Sequence, residues 1–150
     1  MIVVLDSGPL GVLSSPKVTP VNDAAQQWLI RLTAHGHLVI TSAICDYEVR
    51  RELLRSRQAA SIERLNAFLE HVGVMPVSEG LLLRAAQLWA DARNRGMPTA
   101  DPFALDADVI LAAQAQLLAE ETSVPVVVAT TNARHLTQFV DARGWQQIGH

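Results

Sequence analysis

The chain is poor in several residues that whole protein classes depend on. Its 150 residues include a single cysteine, Cys45. No intrachain disulfide and no cysteine-built zinc cluster can therefore form, and a cytoplasmic setting is expected. Lysine is equally scarce: of twelve basic residues only Lys17 is not an arginine. Aromatic residues make up 5%. No apolar run approaches the ~18 residues of a membrane span. The apolar start, Ile2 to Leu5, meets Asp6 at once and is too short for a secretory leader. No glycine-rich phosphate loop follows the first strand, which argues against a nucleotide-binding module. There is no Gly-x-Ser-x-Gly, and Cys45 has no evident histidine partner, so no side-chain nucleophile stands out. His35, His37, His71 and His150 form no metal-ligand spacing.

What is present is globular. Hydrophobic residues make up 49% and charged residues 18%, which excludes disorder as the main state. The length suits one domain, residues 1–150, with a core that needs no staples. The formal charge of -3 argues against a protein that binds nucleic acid through bulk positive charge alone. It does not argue against an enzyme that meets nucleic acid through a local acidic site and a metal.

Strand and helix signals alternate. Residues 2–5 read as a short buried strand, residues 8–14 as a helix with Pro9 in its first turn, and residues 14–20 as a loop. Helical spacing of Ala24, Trp28, Leu29 and Leu32 predicts a helix over 22–33. A second strand follows at 37–40, with Thr41 and Ser42 as helix cap. Residues 43–56 and 58–72 read as two helices, 72–77 as a strand, and Ser78 as the cap of a helix to about Arg95. Asp101-Pro102 looks like an N-cap followed by a first-turn proline, opening a helix to about Ala119. Residues 125–129 are the last strong strand, followed by a short helix within 132–139 and a tail. This alternation predicts an α/β/α sandwich around a central parallel sheet.

Ligands of such sheets gather at the C-terminal ends of the strands. Asp6 directly follows the first strand, and Glu48 lies about two turns into the helix after the second. Asp106 and Asp108 lie in the helix before the last strong strand, and Asn132 just beyond that strand. Crowded carboxylates repel one another unless a cation sits among them. Oxygen donors without cysteine favour Mg²⁺ or Mn²⁺ over zinc. A hydrated ion of this kind supports phosphodiester hydrolysis. The residues thus point to a metal-dependent phosphodiesterase or nuclease.

Five segments in order resemble the PIN-domain ribonucleases, and most of all the VapC-type toxins. They are Val3-Val4-Leu5-Asp6-Ser7, Ile40 to Ile44 with Glu48-Val49, Ala85-Ala86 through Gly96-Met97-Pro98, Asp108 to Ala115, and Val128-Ala129-Thr130-Thr131-Asn132. The resemblance implies a Mg²⁺- or Mn²⁺-dependent endoribonuclease acting on RNA, usually a homodimer, with a small cognate antitoxin for toxin members. It places Asp6, Glu48, Asp108 and Asn132 at the metal. It selects Asp108 over Asp106, since two residues of mid-helix separate them by about 200°. Asp106 is then either solvated or a supporting acid. Asn132 departs from the aspartate of many members, and a helix-capping role is its alternative.

Ser7, Ser42 and Thr131 are candidate supporting hydroxyls, with helix capping as the other reading. Residues 50–64 hold five arginines against two glutamates. Most of these read as a solvated, ion-paired face, with Arg50 and Arg51 as candidates for RNA phosphate. His135 lies near Asn132 without a clear role, and Trp28, Trp89 and Trp145 read as core or interface. A phosphoaspartyl phosphatase is the rival enzyme, but it needs an acid two residues after Asp6, where Gly8 stands. A non-cutting PIN-like scaffold is the rival without catalysis.

Overall fold

The computed structural model describes residues 1–101 and 105–149. Five strands form one all-parallel sheet: β1 (Ile2–Leu5), β2 (Leu38–Ser42), β3 (Val74–Met75), β4 (Val126–Thr130) and β5 (Ala142–Gly144). Their order across the sheet is β3-β2-β1-β4-β5. Among the described residues six α-helices connect them: α1 (Ser7–Leu13), α2 (Pro20–Ala34), α3 (Ala43–Arg55), α4 (Ala59–Val72), α5 (Glu79–Asn94) and α6 (Ala107–Thr122). No helix among the described residues is long and apolar enough to cross a membrane.

Side chains of β1 alternate between the two faces of the sheet, as the pleat requires. Ile2 and Val4 join a core with Ile44, Leu65, Leu81, Ala85 and residues 109–113 of α6. Val3 and Leu5 join a second core with Ala25, Trp28 and Leu32 of α2, and with Trp145 and Ile148. Helix α2 of the long first crossover thus covers one face, and α3 to α6, joined by Leu10 of α1, cover the other. All four β1 residues are buried, which is why that strand reads as an unbroken apolar run.

Four segments differ from expectation. The expected strand over 72–77 shrinks to Val74–Met75, because α4 continues through Val72 and Pro76 follows. Thr41 belongs to β2 rather than to a cap, and its hydroxyl donates to the Leu5 carbonyl at 2.8 Å. Residues 142–144 form a fifth strand in place of a plain tail, paired with β4. The short helix expected within 132–139 is a single 3-10 turn, Leu136–Gln138.

The largest correction concerns α6. It begins at Ala107, with Asp106 as its N-cap: the Asp106 carboxylate accepts the Val109 amide at 3.2 Å. Asp101 lies outside the helix, and Pro102 lies outside the described residues. Asp106 is therefore neither mid-helix nor solvated. It is buried, and the Thr99 hydroxyl donates to its second oxygen. Asp108 falls in the first turn of α6, where the N-terminal end of the helix dipole favours a carboxylate.

Candidate active site

The strand order reverses direction between β1 and β4: the chain builds outward from β1 to β3, then crosses back to β4. Crevices of open α/β sheets form at such a point, beyond the carboxyl ends of the strands. Asp6 and Thr130 occupy those two ends. The Thr130 hydroxyl, fully buried, donates to Asp6 Oδ2 at 2.6 Å. Asp6 Oδ1 accepts the Ser7 amide at 2.6 Å and lies 3.4 Å from the Ser7 hydroxyl. Asp6 also caps α1, so the capping and site readings hold together.

Glu48 comes in from α3. It lies one turn beyond Ile44 and on the side of Cys45, the two buried residues of that helix, and this directs it toward the sheet. Ser7 hydrogen-bonds its carboxylate, and Arg51 stands 3.9 Å away. Asp108 comes from the start of α6, and His135 Nδ1 lies 3.1 Å from its Oδ2. Ser7 thus bridges Asp6 and Glu48, while Thr130 and His135 hold the outer carboxylates.

The carboxylates feel one another. Burial raises the Glu48 pKa, and the negative charges of Asp6 and Asp108 raise it further. Burial also raises that of Asp108, where the His135 hydrogen bond opposes the shift and Asp6 and Asp106 add to it. The thiol of Cys45, behind them, is pushed up by burial first and then by Asp6 and Glu48. Three acids from three distant segments therefore share one field. Among the described residues no three His, Cys, Asp or Glu side chains stand close enough to cage an ion directly. The donor set suits a cation that keeps much of its water, as Mg²⁺ does with one or two carboxylates.

This repulsion carries a stability prediction. A carboxyl whose folded pKa is raised costs stability above that pKa, and the cost vanishes as pH falls below the unfolded value near 4. In EDTA, Glu48→Gln should therefore melt a few degrees above the wild type at pH 7 and level with it near pH 4. One kcal/mol moves a domain of this size by about 2–4 °C, and partial exposure of the side chain keeps the gain within that range. Thermal unfolding at both pH values checks it; a lower melting temperature at pH 7 would contradict the repulsion.

The remaining candidates divide. Ser42 is the N-cap of α3, accepting the Ile44 amide at 3.2 Å. Arg50 is committed to Asp46 at 3.0 Å and to Asn66 at 2.8 Å, fastening α3 to α4. Arg51 is exposed beside Glu48, 5.2 Å from the Tyr47 ring centre. Thr131 and Asn132 are exposed. The Asn132 amide donates to Thr130 Oγ1 at 3.0 Å, and its side chain makes no hydrogen bond among the described residues. Thr131 packs over Gly8, where an added Cβ would come within 2.9 Å of Thr131 Cγ2. Glycine there allows α1 and the loop after β4 to close around Asp6. Sequence reasoning missed Thr130, which looks like any strand residue, and gave His135 no role. The one signal for His135 was its nearness to Asn132.

No family model and no curated protein sequence matches the chain. Solved structures do. One is VapBC2 from Rickettsia felis bound to a DNA fragment from its promoter, with a TM-score of 0.74 and 16% identity over 97% of this chain and 99% of that one. Another is VapBC-1 from nontypeable Haemophilus influenzae, with a TM-score of 0.65 and 16% identity over 98% of this chain and all of that one. The fold of the chain is PIN-like, of the kind found in VapC.

Proposed function

We propose that the chain is a metal-dependent endoribonuclease and the toxin of a toxin–antitoxin pair. One observation carries the reading: Asp6, Glu48 and Asp108, from three separate segments, share one electrostatic field at the switch point of a PIN-like sheet. Asp6, Glu48 and Asp108 would hold Mg²⁺ or Mn²⁺ together with its waters, and the Asn132 amide oxygen would serve that water shell. A bound ion of this type supplies an acidified water and charge for the leaving oxygen. The chain's own part is positioning. Thr130 and Ser7 fix the Asp6 carboxylate, His135 fixes that of Asp108, and the carboxylates orient the attacking water and take up its proton.

The antitoxin partner is proposed because the two solved structures named above are VapBC complexes. A homodimer in the cytoplasm belongs to the same proposal. The rival, a PIN-like scaffold that binds RNA or protein without cutting, draws on Asn132 standing where many members carry aspartate.

Two measurements on purified protein decide between them. Single-stranded RNA should be cut in Mn²⁺ and left whole in EDTA. Calorimetry should show Mn²⁺ binding that Glu48→Gln weakens at least about tenfold, which is the scale of losing a ligand or its support. Intact RNA together with Mn²⁺ affinity unchanged by Glu48→Gln would remove the nuclease and leave the scaffold.

A further inference from the structure

Two turns meet at the acids, one from each central strand. Leu5 pairs with Ala129, and the Asp6 amide donates to the Ala129 carbonyl at 2.9 Å, so Asp6 and Thr130 stand side by side just past the sheet. The Thr130 hydroxyl ties residues 6–8 to residues 130–132. It donates to Asp6 at 2.6 Å and accepts the Asn132 amide at 3.0 Å. One residue further along, the turns touch again, where Thr131 lies over Gly8.

The backbone at Gly8 does not call for glycine. It lies in the first turn of α1, with φ outside the left-handed region, where alanine is the better helix former. What calls for glycine is space. An added Cβ would collide with Thr131 Oγ1 and come within 2.9 Å of its Cγ2 and 3.1 Å of its Cβ. Among the described residues no other glycine would bring a Cβ within 3.0 Å of a neighbour. Both branches of Thr131 crowd the same point, so turning the side chain exchanges one clash for the other unless its hydrogen faces α1. Its Cβ moves only with the backbone. Gly11, one turn on in the same helix, would meet only Val49 Cγ2, at 3.9 Å.

We infer that Gly8 is a positioning residue for the acidic site: it is the seat of Thr131, and its bare Cα lets residues 130–132 close on Asp6. Gly8 acts through Thr131. With the turn seated, Thr130 reaches the Asp6 carboxylate and the backbone fixes where Asn132 stands. That placement matters more for an amide than for an acid. An aspartate is drawn to a cation by its full charge, whereas an asparagine offers a carbonyl dipole and depends on being delivered. The link to a cation rests on the proposed metal site; the seat itself does not.

The test makes Gly8→Ala in two backgrounds of the full chain, the wild type and Thr131→Ala. Gly11→Ala is the control, the same substitution in the same helix. Two quantities are read: hydrogen exchange of the Asn132 amide by NMR in EDTA, and Mn²⁺ affinity by calorimetry. In the wild type Gly8→Ala should speed the exchange about tenfold, the scale of a weakened hydrogen bond, and weaken Mn²⁺ binding about tenfold, the scale of a lost support. In the Thr131→Ala background it should change either quantity by less than about twofold, because the two residues then couple only through their Cβ atoms. Gly11→Ala should change neither. Equal losses in the two backgrounds, no loss in the wild type, or an equal loss from Gly11→Ala would each overturn the seat. Should Gly8→Ala fail to fold, repair by Thr131→Ala upholds the seat and lack of repair overturns it. A wild type that binds no Mn²⁺ removes the metal reading instead, and the exchange of the Asn132 amide still decides whether Gly8 seats the turn.

Discussion

Asp6→Asn should lower RNA cleavage by on the order of 10³-fold or more, about 4 kcal/mol of transition-state stabilisation, while the protein stays folded. Two features of Asp6 set the size of this effect. It is the one acid at the topological switch point itself, and its two oxygens are oriented from different sides, by Thr130 and by Ser7. An amide keeps an oxygen to cap α1, so the helix survives. It cannot keep both contacts unchanged, since its NH₂ group cannot accept from Thr130 or the Ser7 amide as the carboxylate oxygens do. It also removes one of the negative charges that would hold a cation. Circular dichroism and the unfolding midpoint should match the wild type within a few degrees. A variant that cuts RNA at the wild-type rate in saturating Mn²⁺ would place the metal elsewhere.

Trp28→Ala should cost about 3–5 kcal/mol of stability, a fall in melting temperature on the order of 10 °C. Trp28 is 2% exposed, and it couples the two ends of the chain. Its indole donates to the Ile148 carbonyl at 3.2 Å, and its ring centre lies 5.6 Å from that of Trp145, tilted by 55°. Truncation opens a cavity beneath α2, strands a buried carbonyl and removes an aromatic pair worth roughly 0.5–1.5 kcal/mol beyond its area. Trp28→Phe keeps the packing and loses the hydrogen bond, so it should cost less than half as much. Urea unfolding of the three proteins separates the terms; a loss below 1 kcal/mol for Trp28→Ala would show that α2 is not anchored there.

The fold was readable where local and global signals agree. β1 is a β-branched apolar run cut off by Asp6, and α5 begins one residue after the cap Ser78 accepts the Leu81 amide. Asp101-Pro102 misled because its cap signature is stronger on paper than that of Asp106. What places α6 is tertiary: burial of Asp106 against Thr99 and of Val109 through Ala113 in the core. β5 carries Ala142-Arg143-Gly144, with no strand propensity, and is made a strand by the edge of β4. The three acids could be found because each follows a strand end or sits in a recognisable segment. Their supports could not, because Thr130 meets Asp6 across 124 residues and His135 meets Asp108 across 27, and no local pattern records such pairs.

The hydrogen bond between Thr130 and Asp6 also has a meaning in time. A chain emerging from the ribosome displays Asp6 first and Glu48 soon after, but Thr130 follows Asp6 by 124 residues. Until β4 inserts beside β1, the first acid has no neighbour to hold its outer oxygen, and the crevice has only one wall. Any activity that depends on this crevice therefore waits on the making of β4, however early the strands before it have paired.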